Sequence, residues 1–218
     1  MEKQGRIISF IFSTFFVGLI IFEILQLWIS PRLDQGEEIY TLAMLMAIEF
    51  FLVHSGVFMA VIPSALVKFL FIPIYGLFVF IFSISVPGNS IFYLYLCIVF
   101  QRMIEPILDR SIEMRNVQIF AASLNASLYF FLAVIIAFSH QKIPVLGLTP
   151  TFLDESNYLA LAAKTGGIFL DTPNVALAFG LFFYLGQIGI SYFISFKVDA
   201  QKLDYAWYGA MGFLRKEE

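Results

Sequence analysis

Cysteine occurs once, charge is scarce, and the common catalytic signatures are missing. Each shortage excludes something. The lone Cys97 cannot close an internal disulfide, and inside an apolar run it reads as a small packing residue. Charged residues make up 13% of the 218, against ~25% in soluble domains, which excludes an ordinary water-soluble globule. A net charge of −3 gives no sign of a nucleic-acid partner. No HExxH, GxSxG, phosphate-binding glycine loop or CxxC occurs, so no enzyme class is indicated and no cofactor is expected.

What is present is apolar. Hydrophobic residues are 60% of the chain, 27 of them phenylalanine, and they come in long blocks. Apolar runs of about eighteen residues or more read as transmembrane helices. Six blocks fit, at about 7–29, 40–62, 66–86, 89–104, 117–139 and 174–196. The fourth is short for a hydrocarbon core of roughly 30 Å. Either its ends are polar and wet, or its helix runs on through Arg102. The leading MEKQGR and the apolar stretch after it resemble a secretion signal. That stretch is too long and lacks an A-x-A site, so an uncleaved first span is expected.

The cations set an orientation. With the N-terminus inside, ten Lys and Arg fall inside: Lys3, Arg6, Lys68, Arg102, Arg110, Arg115, Lys197, Lys202, Arg215 and Lys216. Only Arg32, Lys142 and Lys164 fall outside. The positive-inside rule then puts both termini in the cytoplasm. The expected fold is an all-α, polytopic bundle of six membrane helices in a plasma (inner) membrane, with short amphipathic helices on its surfaces.

Three segments between or after the spans carry a pattern. Ile104, Ile107, Leu108 and Ile112 form an apolar stripe after the break at Pro106, which suggests a brief helix on the inner surface. The 140–173 loop contains DESNYLALAAKTGG, which starts with helix-capping residues and ends in a glycine pair, so a surface helix is expected there. The 198–218 tail sets Leu203, Trp207, Met211 and Leu214 along one face, as a membrane-docking helix would.

Against this background the stretch AIEFFLVHSGVF stands out. Glu49 lies near the centre of the second block, where an acidic residue costs on the order of 2.5–3.5 kcal/mol and usually faces a bundle interior or a cavity. Gly56 and Ala60 share its helical face and would let a neighbouring helix approach. In the sixth block Tyr184, Gln187, Ser191 and Ser195 make one polar stripe at helical spacing. Spans two and six are therefore expected to meet through Glu49 and either Gln187 or Tyr184. The same groups could instead serve only to hold the bundle together.

Four further residues are secondary candidates. His54 lies about 140° around the helix from Glu49, on an aromatic face, and reads as a packed, hydrogen-bonded residue. Haem ligation by His54 would need a second histidine at the same depth, and His140 is at a span end. Arg102 and Glu105 are three apart and can pair, either as a gate or anionic-headgroup site or simply as the end of span four. Glu23 could face a wet vestibule or snorkel outward. Asn125, among Ala121, Ala122, Ser123, Ala126 and Ser127, reads as part of a close-packing face.

Two functional classes follow. One is a non-catalytic subunit, sensor or scaffold working through other membrane proteins or through self-association. The other is a small proton- or ion-coupled transporter or channel with Glu49 as its intramembrane site and Tyr184, Gln187 and Ser191 along the path.

Overall fold

The computed structural model describes residues 2–61, 112–164 and 166–199, together with Pro73, Leu77, Phe80, Leu96, Phe100 and Leu203. The third and fourth expected spans and almost all of the tail lie outside the described residues. Among the described residues the order is α1 (Glu2–Ile29), a 3₁₀ turn (Leu33–Gln35), α2 (Gly36–Val61), α3 (Ile112–Ser139) and a second 3₁₀ turn (His140–Lys142). Three short helices follow, α4 (Pro150–Glu155), α5 (Tyr158–Ala162) and α6 (Ile168–Asp171), and then the long α7 (Pro173–Lys197). The described residues contain no strand.

Local chemistry sets the ends of these helices. α1 stops at Ser30–Pro31, because a residue before proline is driven out of the helical region. Its last bond runs from Ser30 N to Gln26 O, 3.0 Å. Gln35 then organises the start of α2. Its Oε1 accepts from Arg32 N at 2.9 Å and its Nε2 donates to Glu38 at 3.0 Å. Glu37 and Glu38 occupy the first turn of α2, where carboxylates complement the positive end of the helix dipole. α7 begins at Pro173, at a position where the missing N–H costs nothing.

Among the described residues, three helices are long and apolar enough to cross a membrane: Phe10–Ile29, Arg115–Lys142 and Pro173–Lys197. Between 17 and 33% of each is buried, so most of their surface faces outward. That surface is apolar and aromatic, with Phe12, Phe22, Phe131, Phe138 and Phe182 all more than half exposed. Exposure on this scale is unfavourable in water and suits hydrocarbon.

α1 packs on α7, α2 on α3, and α7 also touches α2 and α3. The core they enclose is lopsided. Ile24 and Leu27 of α1, Leu42 and Met46 of α2, and Phe179 and Phe183 of α7 are fully buried, and all belong to the half nearer the 140–173 segment. We call this the capped end, because that segment folds onto it.

The cap is fastened at several points. Trp28 Nε1 donates to Pro144 O at 3.0 Å, Gly147 N to Trp28 O at 3.0 Å, and Asn174 Nδ2 to Ile143 O at 3.2 Å. Tyr158 is fully buried, meets Tyr40 edge-on at 6.4 Å, and donates its O–H to Leu170 O at 2.7 Å. Two close approaches leave no room for a side chain. A Cβ on Gly36 would lie 2.2 Å from Ser156 O, and one on Gly147 would lie 2.2 Å from Pro31 Cδ.

The cap differs from the single surface helix expected over 154–167. Helix starts earlier, at Pro150, with Thr149 as its N-cap accepting from Phe152 N at 3.2 Å. It then breaks at Asn157, whose φ of 61° is left-handed, and resumes as α5. One side of the segment faces inward. Leu153, Ser156, Tyr158 and Ala162 are buried against the bundle. Its apolar side covers the start of α2. The second helix ends at Ala162, and Gly166 and Gly167 follow it at positive φ.

Candidate functional site

α2 presents Leu42, Met46, Glu49, Val53 and Ala60 as one buried stripe, at the three- and four-residue spacing of a helix face. Glu49 is fully buried in it. Burying a carboxyl among apolar side chains is unfavourable unless polar groups meet it. The neighbouring helices supply such groups.

α7 is one of these helices. Met46 reaches the position that a Cβ on Gly180 would occupy, so α2 and α7 touch where α7 has no side chain. The two helices run parallel from the capped end, and this contact puts Glu49 about level with Phe183 and Tyr184. Tyr184 is fully buried, while Gln187, Ser191 and Ser195 are half-buried on the same face of α7. The Glu49 stripe and the Tyr184 stripe therefore belong to packed helices at matching depth.

α3 contributes a residue that sequence reasoning missed. Tyr129 is buried, and its O–H donates to Met46 O at 3.1 Å, bonding a backbone carbonyl of α2. Its ring packs edge-on against Phe179 at 4.8 Å and Phe183 at 5.5 Å. The phenol is close enough to Glu49 for the carboxyl to act on it electrostatically. A signal for Tyr129 existed in the sequence. Arg115, Gln118, Asn125 and Tyr129 recur at helical spacing, making a polar stripe on α3 comparable with the one on α7.

His54 joins the same group from its other side. Its ring lies tilted by 40° against Phe50, centroids 4.3 Å apart, and meets Tyr129 edge-on at 6.2 Å. Its Nδ1 bonds the Phe50 carbonyl at 2.7 Å and so carries the proton. Glu49 and His54 point apart on α2, yet both adjoin Tyr129. A third helix connects what one helix separates.

Toward the uncapped end, Asn125 Nδ2 donates to Ala121 O at 2.9 Å, a bond within its own helix. Its Oδ1 is buried with no partner among the described residues. Arg115 Nη2 donates to Val61 O at 3.2 Å, placing a cation at the negative end of α2. Glu23 is half-buried and near enough to Glu38 to interact with it, away from the Glu49 group. Arg102 and Glu105 lie outside the described residues. No group of three or more His, Cys, Asp or Glu is placed to hold a metal among the described residues.

The arrangement offers a neutral or anionic oxygen at Glu49, phenols at Tyr129 and Tyr184, an imidazole at His54 and an amide at Gln187. Such groups can exchange a proton or hold a small polar species, or they can lock three helices together. Comparison of the chain with protein-family models, with curated proteins and with solved structures finds no match.

Proposed function

We propose that the chain is a six-span membrane protein with both termini cytoplasmic, acting in the plasma (inner) membrane as a non-catalytic subunit, sensor or scaffold of a membrane-protein complex. Orientation rests on the cations. The capped end holds Arg32, Lys142 and Lys164, and the other ten Lys and Arg fall on the opposite side of the six-span arrangement.

One observation carries the subunit reading. The cap is tightly fastened, yet it turns apolar side chains outward beyond the spans. Leu146 is 47% exposed and Val145 46%, and Leu146 sits at a φ of 49°, which a leucine adopts at a cost. Its neighbours Pro144 and Gly147 are both bonded to Trp28, so the strain is held in place. A rigid, strained, apolar tip is suited to docking on another protein.

Affinity purification from native membranes in mild detergent, with mass spectrometry and native sizing, tests this. A stoichiometric membrane-protein partner is expected. Leu146→Asp should cut its recovery while leaving the fold intact, since aspartate tolerates the left-handed region better than leucine. A lone, monomeric protein would overturn the reading.

A second reading is a small proton- or ion-coupled transporter or channel using Glu49. What favours it is the complete burial of that carboxyl between α2, α3 and α7, beside Tyr129 and Tyr184.

A further inference from the structure

The two halves of the bundle treat buried polar groups differently. In the capped half they are satisfied by the protein. Thr41 Oγ1 donates to Glu37 O at 2.7 Å, Asn174 donates to Ile143 O, and Gln35 bonds Arg32 and Glu38. In the other half, Thr14 Oγ1, Asn125 Oδ1 and Arg115 Nε are buried with no partner among the described residues. A buried polar atom without a protein partner generally bonds an ordered water.

The registers of the helices order those three atoms along the bundle. α1 and α7 are antiparallel, with Ile24 at Gly180 and Phe10 against Tyr192 and Phe196. Thr14 is therefore about level with Ser191. α2 and α3 are antiparallel too, joined from Arg115 to Val61 and from Tyr129 to Met46. That register puts Glu49 between the levels of Asn125 and Tyr129. Going from the uncapped end, one passes Arg115, then Thr14 and Ser191, then Gln187, and arrives at Asn125 and Glu49, which are nearly level. Opposite them α2 offers Gly56 and Ala60, which leave space. Above Glu49 the way is blocked by Met46, Phe179 and Phe183, all fully buried.

We propose that water enters the bundle from the uncapped end as far as Glu49 and no further, so that this carboxyl exchanges its proton with one side of the membrane only. This rests on the second reading above and adds the side and the route. Among the described residues, the titratable groups around the carboxyl are Tyr129 of α3, Tyr184 of α7 and, beyond Tyr129, His54 of its own helix; Arg115 stands at the mouth. The proton passes between the Glu49 carboxyl and the innermost water, and no other bond changes.

Cysteine labelling tests it, because the thiolate is what attacks the maleimide double bond, and the thiolate forms only where water reaches. Single cysteines are placed in a Cys97→Ala background, in vesicles of phosphatidylcholine and phosphatidylglycerol, and treated with N-ethylmaleimide. Ser191→Cys, Asn125→Cys and Thr14→Cys should react at least about tenfold faster than Ala43→Cys and Ala178→Cys in the capped half. Glu49→Cys should join the fast set and Met46→Cys, one turn toward the cap, the slow set. If Glu49→Cys does not fold, the near-isosteric Ser191 and Thr14 variants still decide the matter. Phe182→Cys and Phe131→Cys, exposed to lipid rather than water, should be slow.

Equal, slow rates at residues 191, 125 and 14 and at residue 43 would overturn the proposal, and so would fast rates at residues 43 and 178. Fast labelling at residues 182 and 131 would overturn the membrane-spanning reading as well, which separates that failure from this one.

Discussion

Tyr158 shows how one hydroxyl can tie down a whole segment. It is fully buried in the cap and bonded to Leu170 O. Burial, with the neighbouring Tyr40 and Asp171 adding to it, pushes its phenol well above the ordinary value of 10.0. The unfolded chain therefore loses this proton at a lower pH than the folded one does. Stability from this group is complete below the ordinary value and falls as pH rises past it. Thermal unfolding in detergent should show a decline above about pH 10 that is weaker in Tyr158→Phe. At neutral pH the same variant should lose roughly 1 kcal/mol with its hydrogen bond. An unchanged alkaline decline in Tyr158→Phe would mean that other groups cause it. Glu49 and Tyr184 were legible in the sequence because a polar residue breaks an apolar run. Tyr129 left a fainter signal, a place in the polar stripe of α3, because an aromatic residue among aromatics breaks nothing, and its role depends on Met46, far away in the chain.

At the scale of elements, the long helices were readable and the cap was not. Apolar length and the Ser-Pro and Thr-Pro boundaries mark α1 and α7 with little ambiguity. The cap carries helix signals as well, but its course is decided by contacts. Ser156 O sits against Gly36, and Asn157 turns left-handed so that Tyr158 can reach the core. Gly36→Ala sets a methyl against a backbone oxygen that cannot swing aside, so the cap must lift from the start of α2. Limited proteolysis should then cut within 157–167 several-fold faster than in the parent protein, while the helical circular dichroism of the bundle stays nearly constant. Equal cleavage rates would show that α2 and the cap adjust to each other without separating.

For the whole molecule, the question is which side the cap faces. If the cation asymmetry governs insertion, reporters fused to the N- and C-termini should both be active on the cytoplasmic side, and a thiol introduced at Lys164 should be labelled from outside intact cells. Opposite sides for the two termini would mean an odd number of spans. The sequence by itself determined that this chain is helical and that it has stretches long and apolar enough to cross a bilayer. Both follow from composition and from runs of apolar residues along a continuous stretch, and the backbone in lipid must satisfy its own hydrogen bonds. Only the tertiary structure decided that most of the fully buried large side chains among the described residues gather in one half, that the 140–173 segment closes that half, and that Tyr129 adjoins both Glu49 and His54. Those features arise where residues distant in sequence meet, such as Trp28 with Pro144 and Met46 with Tyr129. A hydropathy period records which face of a helix is apolar, and it holds no record of the neighbour that face will find.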